Sequence, residues 1–343
     1  MTQQIPAIDM HSHWMPEKLV EALRQRSQPP HIVRKEDGHE YLISSFTPTR
    51  MPGREDIEVR VASMDRNNVH GAVLSLTGVY GIERLPIEDS LPLCRIYNDA
   101  ASEACTLYPG RLHAFAALPC SNMKAMVEEF NRVMKLPGIV GGLLQGDGFL
   151  SKKRAEMYRP LFEAANRVNA VFLVHYGKIA NDPDAPKVDN SDNAHSRIGT
   201  LDMQARISSN MLTFCMTDFL ADFPNVTVMS HNLGGNIPFE IERLDHRSLI
   251  DRPNDELPSK RIRDARVIVD CNSLGAKSIE LAYDAYGPGR IVYGSDGTDF
   301  GMDWTNKAIA AARIPEEEKQ AILGGTAARA LARAGVQMQQ AAE

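Results

Sequence analysis

The chain has 343 residues, of which 43% are hydrophobic and 24% are charged, and its formal net charge at pH 7 is -6. These values are ordinary for a globular protein, so they exclude a disordered, fibrous or collagen-like chain. The acidic balance and the lack of a lysine- and arginine-rich run argue against nucleic-acid binding, because phosphate recognition needs clustered positive side chains.

Short apolar runs rich in β-branched residues predict eight strands along the chain. They lie at residues 7–13, 71–78, 112–119, 139–146, 170–177, 226–235, 266–273 and 290–297. Segments with helical spacing lie between them, at 86–108, 123–136, 153–169, 211–223 and 276–286, and an alanine-rich helix ends the chain. Alternation of this kind implies parallel strands joined by helical crossovers, so we predict an α/β fold, a (β/α)8 barrel of TIM type, as one domain over residues 1–343.

Two stretches exceed a minimal barrel. Residues 27–56 contain two alternating runs around Asp37 and Gly38, which predict a β-hairpin inserted after the first strand. Residues 178–210 are polar and rich in turn formers, so we expect a long loop at the active site or at a subunit interface.

The five cysteines are widely spaced and form no Cys-x-x-Cys pair, so the sequence predicts neither a disulfide framework nor a zinc ribbon. No stretch approaches the roughly 18 apolar residues of a membrane helix, and no basic segment followed by an apolar run opens the chain. We therefore expect a cytoplasmic protein with reduced thiols and no membrane partner.

Side chains of the types that bind metals lie at the ends of four of the predicted strands. They are His11 and His13 in the first strand, His175 in the fifth, His231 in the sixth and Asp296 in the eighth. Active sites of these barrels lie at the carboxyl ends of the strands, so the five side chains are expected to converge. Three imidazoles and one carboxylate suit zinc or a similar divalent ion, and the fourth imidazole can then act on a substrate. Asp299 is the alternative carboxylate, although its loop position favours Asp296.

Several tracts resemble the amidohydrolase superfamily, in the branch that contains aminocarboxymuconate-semialdehyde decarboxylase. They are "DMHSHWMP" at 9–16, "RVASMDRNNVHGAVLS" at 60–75, "LVHYG" at 173–177, "SHNLGGNIPFEIERLDH" at 230–246 and "VYGSDGTDF" at 292–300. Members of this branch are metal-dependent (β/α)8 barrels that mostly remove carboxylate groups from unsaturated or aromatic acids. Some relatives hydrolyse carbon–carbon, ester or amide bonds.

The resemblance implies a ligand set and a proton carrier. His11, His13, His175 and Asp296 are implied to bind one divalent ion, with Zn²⁺ as first choice and Mn²⁺ as the alternative, and His231 is implied to be the acid/base. Asp296 is also expected to take part in catalysis by relaying the proton with His231. Gln145 stands where binuclear members of the superfamily carry a bridging lysine, which favours a single ion.

The resemblance also identifies candidate substrate-binding residues. Arg243 matches an arginine that relatives use to hold a substrate carboxylate, in some cases across a dimer interface, and this favours a homodimer; the alternative is an exposed arginine in a surface ion pair. Thr47 stands where a relative carries a second such arginine. Arg50 and Arg54 are near enough in the sequence to reach the same space, although neither is in register with it. Thr77, which ends the second predicted strand, either contacts the substrate or packs.

Three functions remain open from the sequence. The first is an oxygen-independent, metal-dependent decarboxylase of a small unsaturated or aromatic carboxylic acid. The second uses the same mononuclear site to hydrolyse a carbon–carbon, ester or amide bond. The third is a barrel with a structural zinc or a ligand-sensing role. His231 argues against it, because a structural zinc site with four protein ligands has no need of a fifth polar group.

Overall fold

The described part of the chain contains eleven β-strands. In a computed structural model of the protein, the described residues are 6–44, 48–51, 56–182 and 197–336. The strands within them are β1 (Ala7–His13), β2 (His31–Arg34), β3 (Glu40–Ile43), β4 (Thr49–Arg50), β5 (Val69–Ser75), β6 (Leu112–Ala116), β7 (Ile139–Gln145), β8 (Val171–His175), β9 (Thr227–Ser230), β10 (Val267–Asp270) and β11 (Ile291–Val292).

An α-helix follows each of the barrel strands. The α-helices in the described residues are α1 (Glu17–Arg24), α2 (Ile57–Arg66), α3 (Ile87–Leu107), α4 (Met123–Val133), α5 (Lys152–Ala155), α6 (Arg159–Arg167), α7 (Met203–Met216), α8 (Ile237–Asp251), α9 (Pro258–Asp264), α10 (Ala276–Tyr286), α11 (Asp299–Ala311), α12 (Glu316–Gln320) and α13 (Thr326–Arg333). None of the helices in this part of the chain combines the length and the apolar character needed to cross a bilayer.

Eight strands form the barrel, in the order β1, β5, β6, β7, β8, β9, β10, β11, and all neighbouring pairs are parallel. Backbone hydrogen bonds bring the last strand back to the first: Met10 N–H donates to Tyr293 O at 3.0 Å, and Asp296 N–H donates to His11 O at 2.9 Å. The predicted (β/α)8 barrel is confirmed. All eight predicted strands are present, although several end earlier than the sequence pattern indicates.

Apolar side chains fill both sides of the barrel wall, which explains why its strands are almost continuously hydrophobic. The interior cluster includes Ile8, Met10, Val73, Phe115, Val140, Leu143, Val171, Leu173, Met229 and Val292. A larger cluster lies between the strands and the helices, with aromatic contacts around Phe162 and Phe219 at 4.9 Å between ring centroids. The core therefore fixes the strands, and the strand ends carry the polar side chains.

The insertion after β1 is a small antiparallel sheet. β2 pairs with β3 from His31 opposite Ile43 to Arg34 opposite Glu40, as the predicted hairpin requires, and β4 adds a third strand beside β3. Arg24 of α1 donates to both carboxylate oxygens of Glu40, at 3.0 and 2.8 Å. This bidentate pair holds the sheet against the barrel.

Helix α7 differs from its predicted bounds. It begins at Met203, ahead of the predicted start at residue 211, and therefore occupies the end of the stretch expected to be a loop. The segment predicted as one helix over 153–169 is divided into α5 and α6, with Pro160 in the first turn of α6, where its missing N–H leaves no helical hydrogen bond unmade.

Candidate metal centre and active site

Four side chains meet at the carboxyl ends of the barrel strands. One donor atom from each of His11, His13, His175 and Asp296 lies within 4.8 Å of those of the others. His13 Nε2 is 3.1 Å from His11 Nε2, 3.1 Å from His175 Nε2 and 3.3 Å from Asp296 Oδ1. His11 and His175 are buried, whereas the Asp296 side chain is 49% exposed and marks the open side of the cluster.

Irregular backbone at two strand ends aims the first and last members of the cluster. The pairing of β1 with β5 shifts register between Asp9 and Ser12, just where the histidines lie. Asp296 has a left-handed φ of 60°, and it is fixed there by its N–H bond to His11 O. Gly297 follows with φ 77°, and a Cβ at that position would lie 2.4 Å from His13 O. The loop after β11 therefore reaches the first strand only because residue 297 is glycine.

The second ring nitrogen of each clustered histidine has a fixed partner. His11 Nδ1 lies 3.1 Å from Asp270 Oδ2, His13 Nδ1 2.9 Å from Ser75 Oγ, and His175 Nδ1 2.7 Å from the backbone oxygen of Tyr176. A carboxylate and a carbonyl can only accept, so His11 and His175 donate through Nδ1. Their Nε2 atoms are left to face the other members of the cluster, which is the orientation that metal-binding histidines show.

These facing nitrogens fit a cation. His175 Nε2 carries a lone pair because its proton is on Nδ1, and His13 Nε2 lies 3.1 Å from both His175 Nε2 and His11 Nε2. One proton on His11 Nε2 can satisfy one of these contacts, but a positive ion among the four donors satisfies all of them. The donor set, three nitrogens and one carboxylate oxygen, suits a divalent ion of borderline softness.

Burial and charge separate the histidines of the cluster. Burial opposes a charge on His11, but the Asp270 carboxylate outweighs it and raises the pKa of His11 to about 9. Burial, together with the neighbouring imidazoles, keeps the pKa of His13 and of His175 well below the ordinary value. The rings of His13 and His175 are therefore neutral at neutral pH and can act as ligands directly, whereas a bound metal ion would displace the Nε2 proton of His11.

His231 stands beside this cluster. Its ring centroid is 4.3 Å from that of His175 and 5.5 Å from that of His11, and the residue is 2% exposed. Tyr176 N–H donates to His231 Nε2 at 3.0 Å, so the single proton of the neutral ring lies on Nδ1. Burial and the three nearby imidazoles hold the pKa of His231 well below its usual range.

Other residues named from the sequence lie around the cluster or away from it. Gln145 ends β7 opposite His175 and is 3% exposed. Thr77 is buried just beyond β5. Asp299 instead contacts α2, where Ser63 Oγ donates to it at 2.6 Å, so Asp296 is the carboxylate that reaches the histidines. Arg243 lies exposed on α8, with no hydrogen bond to the cluster in the described ranges.

Of the three insertion residues named from the sequence, only Arg50 is among the described residues. Thr47 and Arg54 lie outside the described residues. Arg50 is in β4 and exposed, and its Nη2 is 2.9 Å from His39 Nε2.

Four supporting residues were missed from the sequence. Asp270 and Ser75 end strands β10 and β5, so the rule that finds polar residues at strand ends also finds them. Tyr176 acts through its backbone, which leaves no signature in the residue type. Asp9 is a further buried carboxyl under the cluster: burial raises its pKa to about 6, and Ser295 N–H donates to it at 3.1 Å.

Comparison with curated proteins finds decarboxylases among the relatives. Gamma-resorcylate decarboxylase of Rhizobium sp. (strain MTP-10005) is 24% identical over 294 residues, which are 80% of this chain and 86% of that protein. The enzyme of the same name from Rhodococcus jostii (strain RHA1) is 26% identical over 224 residues, 60% of this chain. That match covers 64% of the Rhodococcus protein, just under two thirds of its length.

Comparison with solved structures finds the same fold elsewhere, and comparison with family models finds a match. A 5-carboxyvanillate decarboxylase from Novosphingobium aromaticivorans, complexed with manganese and 4-hydroxy-3-methoxy-5-nitrobenzoic acid, has the same fold, with a TM-score of 0.71 at 16% identity. The match covers 97% of this chain and 99% of that one. The model of the amidohydrolase family matches residues 8–333, and the chain therefore belongs to the amidohydrolase family.

Proposed function

We propose that the chain is a metal-dependent, oxygen-independent carboxy-lyase that removes carbon dioxide from a small aromatic or unsaturated carboxylic acid. The observation that carries the proposal is the cluster of three imidazoles and one carboxylate with a further buried imidazole, His231, beside it. The decarboxylase names of the relatives favour this reaction over the hydrolysis that the same family also includes.

We assign one divalent ion to the cluster, held by His11, His13, His175 and Asp296. Zn²⁺ is our first choice because imidazole and carboxylate donors suit it, and Mn²⁺ is the alternative because the structural neighbour with the same fold contains manganese. When bound, such an ion polarises a substrate oxygen or lowers the pKa of its water. Gln145, in place of a bridging lysine, supports a single ion.

In this reaction, residues of the chain must deliver one proton to a carbon atom of the substrate. Decarboxylation breaks the bond between the carboxylate carbon and its neighbour; carbon dioxide leaves, and the electron pair stays on the neighbouring carbon, which then takes a proton. We assign that proton transfer to His231, whose only proton is held on Nδ1 because Nε2 accepts from Tyr176 N–H. Solvent replaces the proton that His231 gives up, and Asp296, on the open side of the cluster, relays it to His231.

Substrate binding needs positive charge near the open side of the cluster. We propose that Arg54 and Arg243 hold the substrate carboxylate and that Thr77 contacts the substrate, since charge-assisted bonds from arginine fit carboxylates well. Arg243 lies on the exposed surface of α8, so it serves a site in a homodimer in which α8 meets the partner subunit.

We also propose a cytoplasmic location. All five cysteines are free, and four of them are buried. Free thiols are the rule in the reducing cytosol and the exception in oxidising compartments. Fractionation of the source cells checks this assignment: recovery of the chain with the periplasmic or secreted fraction would exclude it.

The first experiment measures metal content before activity. Protein purified without chelator is analysed by plasma mass spectrometry as wild type, His11→Ala, Asp296→Ala and His39→Ala. We expect about one divalent ion per chain in the wild type and in the exposed control His39→Ala, and loss of most of it in the two ligand variants. Two ions per chain would contradict the mononuclear site, and none would overturn the metal assignment.

The second part of that experiment measures carbon dioxide. Gamma-resorcylate and 5-carboxyvanillate are supplied to the loaded enzyme under argon and under air, and carbon dioxide release is followed. We expect release at the same rate in both atmospheres and its loss in His231→Asn. A substrate that is cleaved with uptake of water and without carbon dioxide would assign the site to hydrolysis instead.

A further inference from the structure

One residue joins the two histidines that the proposed reaction uses. The backbone oxygen of Tyr176 accepts from His175 Nδ1 at 2.7 Å, and the backbone N–H of Tyr176 donates to His231 Nε2 at 3.0 Å. The two rings lie 4.3 Å apart at an angle of 30°. Because both contacts come from the same residue, a rotation of the Tyr176 backbone would move the partner of a metal ligand and of the proton carrier together.

The side chain of Tyr176 is held by a buried guanidinium group. The tyrosine is 7% exposed, and the central carbon of the Arg206 guanidinium lies 5.6 Å from the centroid of its ring. The phenol donates a long hydrogen bond, at 3.4 Å, to Asp202 Oδ2. A cation over an aromatic face is attracted to it most strongly where water is excluded, as it is here.

Arg206 is in turn fixed by two carboxylates. It is 7% exposed; its Nη1 donates to Asp147 Oδ2 at 2.7 Å, and its Nε lies 2.8 Å from Asp202 Oδ2. The N–H of Asp147 donates to Gly177 O at 3.0 Å, so the same aspartate also ties the chain after β7 to the chain after β8. The guanidinium group of α7 therefore connects two strand ends of the barrel.

We propose that Arg206 is a positioning residue that holds Tyr176 and, through its backbone, sets the orientation of His175 and His231 relative to each other. Arg206 contacts the ring of Tyr176, and its role in the reaction rests on the proposed decarboxylation. Loss of a partner that acts through a ligand in this way reduces activity by about 10- to 100-fold in metal enzymes.

The test compares Arg206→Met with Arg206→Lys and with Arg132→Met. Arg132 of α4 pairs with Glu129 of the same helix at 2.8 Å and with Asp99 of α3 at 2.7 Å, so its variant loses two ion pairs remote from the site. The first readout is the set of ¹⁵N imidazole signals of the metal-free protein, which report the tautomers of His175 and His231 and require no substrate. The second is the separate change in kcat and KM for carbon dioxide release.

We expect Arg206→Met to shift or broaden the signals of His175 and His231, and to lower kcat by about 10- to 100-fold with KM changed by less than about threefold. Arg206→Lys keeps the charge but not the planar fork, so its imidazole signals and its kcat should lie between those of the wild type and those of Arg206→Met. Arg132→Met should lower only the melting temperature. Wild-type imidazole signals in Arg206→Met would overturn the proposal. Wild-type imidazole signals in Arg206→Lys would overturn the proposal in the same way if Arg206→Met does not fold. Shifted signals without carbon dioxide from any acid would support the positioning role and reject the decarboxylase.

Discussion

At the scale of single residues, Glu83 is a buried ionisable group that the proposed reaction does not use. It lies in the chain after β5 and is 1% exposed, and neither carboxylate oxygen finds a hydrogen-bond partner in the described part of the protein. Its backbone oxygen accepts from Cys120 N–H at 2.7 Å, which holds the segment in place. Burial disfavours the ionised form and raises the pKa of Glu83 to about 8.

This carboxyl makes stability depend on pH in a direction opposite to that of a salt-bridged acid. Between the unfolded pKa of 4.5 and the folded pKa of about 8, the unfolded chain has lost the proton and the folded chain keeps it. The free energy of unfolding therefore falls as pH rises through this window, by up to roughly 3–5 kcal/mol.

Glu83→Gln should remove that dependence, because the amide does not ionise. We expect the variant to gain stability relative to wild type as pH rises from about 5 to about 9, measured by urea unfolding at several pH values. Glu58→Gln, at an exposed position of α2, is the control and should leave the pH profile unchanged. A difference between Glu83→Gln and wild type that stays constant with pH would contradict the buried, neutral carboxyl.

At the scale of elements, the turn that follows β9 places His231. Asn232, Leu233, Gly234 and Gly235 have consecutive positive φ values of 49°, 51°, 69° and 75°. Left-handed backbone is unfavourable for leucine, and Tyr286 compensates by donating from its hydroxyl to Leu233 O at 2.7 Å. This turn allows α8 to begin at Ile237, close behind the strand end.

Gly235→Ala should disrupt the turn. A Cβ at this position would lie 2.4 Å from Gln204 O and 2.6 Å from Ser208 N, and both atoms belong to the backbone of α7. We expect a loss of roughly 2–4 kcal/mol in the free energy of unfolding, measured with denaturant. Gly275→Ala is the matched control, since nothing lies within 4 Å of its Cβ and its φ of -92° suits alanine. Equal stability of the two variants would show that α7 moves aside freely.

The elements differ in how far the sequence predicts them. The eight barrel strands are predictable because each is an apolar, β-branched run between polar segments. The start of α7 is not, because residues 203–210 are mostly polar and follow a long turn-rich stretch. The cluster of His11, His13, His175 and Asp296 follows from the position of polar residues at strand ends. The partners of these rings depend on which strand ends become neighbours, and Tyr176 contributes backbone atoms that any residue type has.

At the scale of the whole molecule, the exposed face of α8 carries apolar side chains that a single barrel leaves uncovered. Phe239 is 78% exposed, and Leu249 and Ile250 are each 57% exposed, on the helix that also carries Arg243. Pro238, Phe239 and Leu281 line a cavity of about 560 Å³ between α8 and α10. Large apolar side chains grouped on a surface are typical of protein–protein contacts. An isologous dimer through α8 would cover them and bring Arg243 to the partner.

Mixed dimers test whether Arg243 serves its own subunit or the other one. Arg243→Ala and His231→Asn should each abolish carbon dioxide release while light scattering still shows a dimer. If the arginine crosses the interface, a mixed dimer holds one complete site, with His231 from one subunit and Arg243 from the other. Random pairing of co-expressed variants should then restore about a quarter of wild-type activity. Arg247→Ala, which loses only an exposed pair with Asp251 on the same helix, is the control and should remain fully active. An inactive mixture of intact dimers would mean that Arg243 does not complete the partner's site.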